Sequence, residues 1–225
     1  MRHVLEASGD PAWVIGSDGY DPLHESSLES RFAISNGFLG VRGGRAITRV
    51  ARWVVPARTY VAGLFDTPGT GYIVRELVPA ADWLQVHILL SGKSLVHHPG
   101  DVSSHRMTLD MRRGALLTNG YYSNASGLDV RFRALRLVSL SDRAVGLQLI
   151  QFEIENGTAD ITFEASFEGK DLGLISERID HDLGVWHTQH SGKHLAMTTA
   201  SSLQLDGRDL PPTRIGQLTS SWTWK

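Results

Sequence analysis

The stretch "LDVRFRALRLVSL", from Leu128 to Leu140, decides the fold class of this chain. From Leu128 to Ala134 every second residue is apolar and the residues between them are charged. A period of two is typical of a β-strand with one buried face and one face in water. The apolar residues then change phase at Leu135 and Leu137, which predicts a β-bulge at that point.

The residues that follow continue the same pattern. Ser141 to Arg143 predicts a turn, and "VGLQLIQFEIEN", from Val145 to Asn156, predicts a second strand with another change of phase at Phe152. Asn156-Gly157 predicts a further turn, after which apolar residues alternate regularly from Ile161 to Phe167. The sequence therefore predicts three consecutive antiparallel strands.

The first half of the chain has similar signals. Leu84, Val86 and Ile88 share one face of a predicted strand that ends in a turn at Ser91–Lys93. Only "LHESSLESRFA", residues 23–33, allows a short helix, and a turn fits this segment as well. We predict an all-β chain of at least about 12 short strands, folded as a large two-sheet antiparallel β-sandwich. Residues 1–225 are expected to form a single domain.

Composition excludes several function classes. The 225 residues carry a formal net charge of −2, so no basic surface for nucleic acid is expected. The absence of cysteine excludes disulfides and thiolate metal sites. The N-terminal residues do not resemble a secretory signal, and no apolar run approaches the roughly 20 residues of a membrane helix. We therefore expect a cytoplasmic protein without a membrane partner.

The segment "ESRFAISNGFLGVRGGR", from Glu29 to Arg45, combines backbone freedom with positive charge. Asn36-Gly37 and Gly40 predict turns with positive φ, and Gly43-Gly44 predicts close approach of another backbone. Of its three arginines, Arg42 lies among the glycines and offers a planar donor fork for a carboxylate or a sugar hydroxyl. A structural hairpin and a loop that faces a ligand both fit. The candidate residues of the segment are Asn36, Gly37, Phe38, Gly40, Arg42 and Gly43.

Other polar clusters give weaker signals. On one continuous strand, His190 and His194 would share a face that His187 does not, and solvated histidines are expected rather than a metal site. "VHHPG", residues 96–100, is predicted to be a loop. Carboxylates are plentiful, but no spacing indicates a catalytic pair, and no catalytic residue is predicted.

The signature E-S-x-F-x-x-x-N-G-x-x-G-x-R-G, beginning at Glu29, resembles the start of glycoside hydrolase family 65. That family includes maltose, trehalose and kojibiose phosphorylases and related α-glucosidases. Four further segments resemble the family in the same order: Trp13–Pro22, Thr59–Asp66, Glu76–Leu95 and Leu109–Thr118. The resemblance covers most of the chain.

The resemblance implies a galactose-mutarotase-like β-sandwich, the N-terminal domain of that family. Family members carry their catalytic general acid and phosphate site in a later (α/α)₆ barrel, which this chain lacks. The chain is therefore expected to be inactive alone and truncated at its C-terminal end, where a strand cut near Trp222 to Lys225 would leave the edge of its neighbour unpaired. No cofactor is expected, and inorganic phosphate would be a co-substrate of the intact enzyme if it is a phosphorylase.

The resemblance also implies partners. They are the missing barrel, a second copy of the chain in a homodimer, and α-linked glucosides for the intact enzyme. On this reading Arg42 serves either the interface with the barrel or an internal pair with Glu29 or Asp66. One alternative is a free-standing carbohydrate-binding module with exposed tryptophans, for which the candidates are Trp53, Trp83, Trp186, Trp222 and Trp224. Another is a mutarotase-like enzyme, which requires a converging histidine and carboxylate.

Overall fold

The computed structural model describes residues 2–19, 21, 23–44, 46, 58–69, 74–95, 102–123, 127–168, 173–216 and 219–224. Antiparallel strands dominate these residues, and one short helix, α1 (Glu25–Arg31), lies where the sequence predicts it. Two 3₁₀ turns, Arg2–Leu5 and Pro11–Trp13, precede the first strand. The prediction of an all-β chain is confirmed.

The chain divides into two compact units, each built from two separate segments. The first unit is Met1–Ala57 with Lys93–Ala159, and the second is Arg58–Gly92 with Asp160–Lys225.

Strands are numbered in chain order. Those of the first unit are β1 (Val14–Asp18), β2 (Ile34–Ser35), β3 (Leu39–Val41), β7 (Lys93–Ser94), β8 (Val102–Asp110), β9 (Ala115–Ser123), β10 (Asp129–Val138) and β11 (Gly146–Asn156). Those of the second are β4 (Thr59–Asp66), β5 (Glu76–Ala80), β6 (Asp82–Leu90), β12 (Ile161–Glu168), β13 (Leu174–Ile179), β14 (Leu183–Thr188), β15 (His194–Thr198), β16 (Leu203–Leu205), β17 (Arg208–Leu210), β18 (Arg214–Gly216) and β19 (Thr219–Trp224).

A five-stranded antiparallel sheet with the order β1-β8-β9-β10-β11 is the main element of the first unit. The bulge predicted at Leu135 is wrong, because β10 pairs in continuous register with β9 and, from Val130 onward, with β11. The only shift against β11 lies between Asp129 and Val130. The apolar pattern changes phase because Ala134 and Leu135 are both buried, so this part of the strand is covered on both faces. The change of phase at Phe152 likewise involves no shift in register.

Each face of this sheet packs a different cluster. On one face Leu5, from the N-terminal 3₁₀ turn, packs against Ala115, Leu117 and Leu135. On the opposite face Phe132 lies over Gly120, where an added Cβ would sit 1.9 Å from the phenyl ring. A glycine at this position therefore lets the aromatic ring close onto the sheet.

The second unit contains a sheet with the order β18-β19-β12-β6, and β7 follows β6 after the turn at Ser91-Gly92. Leu84 and Ile88 of β6 are buried, as predicted. The prediction of three consecutive paired strands is wrong, because β12 pairs with β6 and β19 rather than with β11. Strand β19 pairs with β12 over its whole length, whereas β18 pairs only with Thr219–Ser221, so the unpaired edge expected near Trp222 stays a prediction.

The strands β13, β14 and β15 form a separate three-stranded sheet in the second unit. Trp186 of β14 is 1% exposed and packs in a core with Leu64, Ala81 and Leu195. Its ring lies over Gly184 on the same strand, where a Cβ would approach to 1.8 Å. The sheet thereby buries a large aromatic side chain, which contributes apolar stabilisation.

Candidate functional site

Asn36 fixes the tip between β2 and β3, which pair through Ile34–Val41 and Ser35–Gly40. Its Oδ1 accepts the backbone N–H groups of Phe38 (3.0 Å) and Leu39 (2.8 Å). Its Nδ2 donates to the carbonyls of Ser139 (2.6 Å) and Arg143 (3.0 Å), which belong to the loop between β10 and β11. One amide side chain therefore closes the turn and ties it to a neighbouring loop.

The two glycines beside Asn36 differ in conformation. Gly37 has φ of 83°, as predicted, and a Cβ there would lie 3.0 Å from Nη2 of Arg143. The expectation of positive φ at Gly40 is wrong, because that residue is an ordinary member of β3. Phe38, at the tip, is 38% exposed. The turn thus holds an aromatic side chain partly in solvent.

Arg42 connects the end of this hairpin to helix α1. Its Nη2 donates to the carbonyl of Ser26 (3.0 Å) and to Oγ of Ser30 (2.8 Å), and it lies 3.6 Å from Oε2 of Glu29. The side chain of Arg42 is 25% exposed and that of Glu29 only 4%. Of the two internal partners considered from the sequence, the structure pairs Arg42 with Glu29 and not with Asp66.

Gly43 and Gly44 allow the chain to pass close to two other segments. The Gly43 N–H donates to the Glu29 carbonyl at 2.8 Å, and a Cβ on Gly43 would lie 2.5 Å from the Phe32 carbonyl oxygen. The predicted close approach of another backbone is confirmed. Arg136 of β10, which is 3% exposed, donates from Nη1 to the Gly44 carbonyl at 3.1 Å. A buried guanidinium is well satisfied by such backbone acceptors.

We name the Asn36–Gly44 segment the signature loop. Its hydrogen-bonding groups described above are directed at this chain's own helix, sheet and loops. The structure places all six candidate residues in this loop but brings them onto no common surface, because Gly40 and Gly43 are in contact with internal neighbours. Phe38 is the candidate side chain that the loop offers to solvent. An interface or active-site rim at this loop stays a prediction.

The histidines of the second unit are arranged differently from the prediction. A turn separates β14 from β15, so His187 and His194 are directly opposite on neighbouring strands. Their Nδ1 and Nε2 atoms lie 2.8 and 3.0 Å from Oε1 of Glu177. Across the described part of the chain, no group of three or more His, Asp or Glu side chains has the arrangement that a metal ion needs. The segment "VHHPG", residues 96–100, which was predicted to be a loop, lies outside the described residues.

The tryptophans proposed as a sugar platform are mostly buried. Trp186 and Trp222 are 1% and 4% exposed, and Trp83 packs against the core around Trp186. Trp53 and the side chain of Trp224 lie outside the described residues. Trp13, which is not one of the predicted platform residues, is 47% exposed.

Two buried aspartates organise turns, a role that the sequence analysis did not predict for either of them. Asp66 ends β4 and accepts the backbone N–H groups of Thr67 (2.9 Å), His190 (3.2 Å) and Ser191 (2.7 Å) through Oδ1. Burial raises the pKa of Asp66, but these N–H donors outweigh burial and lower the pKa below its usual value. The available signal was an aspartate at the last residue of a strand, immediately before a turn.

Asp110 has the corresponding role in the first unit. Its Oδ2 accepts the Ser8 N–H at 2.7 Å and its Oδ1 accepts the Arg113 N–H at 3.1 Å. Burial raises the pKa of Asp110, but the backbone donors, with the charge of Arg113, lower it overall. This carboxylate thereby joins the N-terminal segment to the β8–β9 turn.

Comparison with known proteins now identifies the family. The family model described as "Glycosyl hydrolase family 65, N-terminal domain" matches residues 15–218, so the chain belongs to that family. It is 24% identical over 211 residues to a kojibiose phosphorylase of Thermoanaerobacter brockii, covering 92% of this chain and 25% of that protein. It is 28% identical over 198 residues to an uncharacterised glycosyl hydrolase of Mycobacterium tuberculosis, covering 85% of this chain and 14% of that protein.

A solved structure shares the fold. The chain superposes with a TM-score of 0.68 and 16% identity on a structure described as "Putative kojibiose phosphorylase from human microbiome", covering 94% of this chain and 30% of that one. The predicted fold class, an antiparallel β-sandwich, is confirmed. The chain spans a quarter or less of the length of the two relatives above. In the described residues, no helix is both long and apolar enough to cross a membrane.

Proposed function

We propose that this chain is the non-catalytic N-terminal region of an α-glucoside phosphorylase or hydrolase. It would support the catalytic barrel, contribute to a homodimer and form part of the active-site rim. The family match and the kojibiose phosphorylase relative support the reaction class. The observation that carries the accessory role is the signature loop, whose polar groups hold its own shape while Phe38 projects from its tip.

The buried carboxylates favour a structural role over a catalytic one. A general acid or base has to reach a proton of the substrate. Asp66 and Asp110 accept backbone N–H groups, and Glu29 lies beside Arg42. These groups therefore stabilise turns and a helix contact. The reaction would depend on carboxylates from the barrel.

The proposal extends to the intact protein. Inorganic phosphate would be its co-substrate if it is a phosphorylase, and this chain would hold no cofactor or metal. The enzyme would act in the cytoplasm on α-linked glucosides, without a nucleic acid or membrane partner. The homodimer would include this region.

A first experiment tests the absence of catalysis. The purified chain is incubated with maltose, trehalose or kojibiose, with and without phosphate, and glucose and glucose 1-phosphate are measured. We expect no product above background. Turnover by this chain would contradict the proposal.

A chimera tests the supporting role. The chain replaces the matching N-terminal region of the Thermoanaerobacter brockii kojibiose phosphorylase, and kojibiose phosphorolysis is measured. We expect activity in the chimera and a lower kcat/KM after Phe38→Ala. Arg131→Ala, at an exposed ion pair with Glu155 away from the signature loop, is the matched control and should leave kcat/KM unchanged. If the chimera with Phe38→Ala has the same kcat/KM as the chimera without it, Phe38 does not form part of the active-site rim.

A further inference from the structure

The five-stranded sheet carries a row of polar side chains across one face. Asp18 of β1 is opposite Arg106 of β8, Arg106 is opposite Asn119 of β9, and Asn119 is opposite Arg133 of β10. Residues directly opposite on neighbouring strands point to the same face. The row therefore aligns two guanidinium groups with an amide between them.

The next row on this face contains two leucines beside a threonine and is partly covered. Thr108 is opposite Leu117, and Leu117 is opposite Leu135. Leu5 packs on Leu117 and Leu135 and covers this part of the sheet. The polar row thus begins where the cover from the N-terminal segment ends.

A groove of about 350 Å³ lies at this boundary. Its lining combines the polar row with apolar side chains: Leu5, Glu6, Ala7, Val14, Arg106, Thr108, Leu117, Asn119 and Arg133. The volume falls within the range of roughly 300–1,000 Å³ that is typical of small-molecule sites. We name it the sheet-face groove.

The polar groups of the groove differ in how they are engaged. Nη1 of Arg106 donates to both carboxylate oxygens of Asp18, at 2.9 and 2.8 Å, which fixes the guanidinium over the sheet. Within the described residues, the side chains of Asn119 and Arg133 have no hydrogen-bond partner. Because these two side chains are unpaired, the N–H donors of both and the amide oxygen of Asn119 are available to a ligand. The pairing of β9 with β10 keeps the two residues side by side.

Charge favours a neutral ligand over an anion. Arg106 is already neutralised by Asp18, and Glu6 lines the groove together with Arg133. The groove therefore has no net positive charge to attract phosphate or a carboxylate. Planar guanidinium and amide groups can bond adjacent hydroxyls of a sugar, while the leucines contact its C–H face.

We propose that the sheet-face groove is a secondary binding site for a neutral α-glucoside, separate from the signature loop. The choice of α-glucoside as the ligand rests on the proposed function of the family. Arg133 and Asn119 bond the sugar hydroxyls, and Leu117 and Val14 form the apolar floor. The site gives this region a ligand of its own, without any reaction.

Titration of the purified chain with maltose and kojibiose tests this site by amide-resolved NMR. We expect saturable shifts in residues of β8, β9 and β10 that line the groove, with a dissociation constant of about 1–10 mM. Arg133→Ala and Asn119→Ala should each weaken binding about tenfold, as expected for losing hydrogen bonds to the ligand. Arg131→Ala, two residues away on β10 and outside the groove, is the matched control and should change affinity less than about twofold.

The outcomes are distinct. Absence of saturation by either disaccharide at about 50 mM, or equal affinities in Arg133→Ala, Asn119→Ala and the parent, would overturn the site. Saturable shifts with inorganic phosphate but not with disaccharide would overturn it in favour of an anion site. The spectra show whether each variant is folded. If the chain binds sugar but the chimera with the kojibiose phosphorylase is inactive, the binding site is supported and the proposed function is contradicted.

Discussion

Arg42→Ala should destabilise the chain by about 3 kcal/mol. The guanidinium donates to the Ser26 carbonyl at 3.0 Å and to Ser30 Oγ at 2.8 Å, and hydrogen bonds of charged groups contribute about 1.5–3 kcal/mol each. Water can replace part of the lost hydrogen bonding, because the side chain of Arg42 is 25% exposed. The buried Glu29 would also lose its neighbouring cation, which adds to the cost.

Urea unfolding followed by circular dichroism measures this loss, and thermal unfolding should show a decrease in Tm of roughly 6–12 °C for a chain of this size. Arg131→Ala is the matched control, because its ion pair with Glu155 is exposed (45% and 28%) and should contribute less than about 1 kcal/mol. Glu29→Gln, alone and with Arg42→Ala, isolates the pair by a double-mutant cycle. A loss below about 1 kcal/mol, equal to that of Arg131→Ala, would refute the internal role of Arg42.

Three further changes test other contacts. Asn36→Ala should cost about 2–3 kcal/mol in urea unfolding, because two backbone N–H groups and two loop carbonyls lose their partner; a loss below about 0.5 kcal/mol would contradict this. Gly184→Ala should cost about 1–3 kcal/mol and alter Trp186 fluorescence, since the new methyl would lie 1.8 Å from the indole; an unchanged emission spectrum would argue against the contact. The pKa of Asp66 is lowered in the folded chain, so its ionised carboxylate stabilises the fold at pH values above the usual pKa of 3.8. This stabilisation is lost as the pH falls through the folded-state pKa. Asp66→Asn should therefore lose less Tm than the parent between pH 5 and pH 3, and equal losses would disprove this.

Period-two patterning predicted the strands well and their pairing poorly. It located the β10 and β11 hairpin and the strand at Ile161–Glu168, because alternation depends on each strand's own exposure. It could not show that β12 joins β6 and β19, since that pairing depends on residues more than 50 positions apart. The false bulge at Leu135 has a related cause: a strand buried on both faces loses its alternation without changing register.

The candidate site was also predicted only in part, because the sequence signals its local turns but not the contacts between distant segments. Positive φ at Gly37 depends on the local turn, and the close approach at Gly43 is signalled by the glycine pair itself; both were predicted. The pairing of His187 with His194 required knowledge of the turn between them. The sheet-face groove brings together side chains from the N-terminal segment and four strands. No single stretch of sequence contains it.

The signature loop shows why a motif with ligand-like residues does not by itself define a ligand site. Asn36 and Arg42 have the side chains that bind sugars in many proteins, yet both donate to this chain's own carbonyls and hydroxyl. Their removal should therefore reduce stability before it affects any binding. Asn119 and Arg133 lie outside the signature, on a rigid sheet and beside a groove. Because rigid strands already fix their orientation, binding there would require little ordering of side chains.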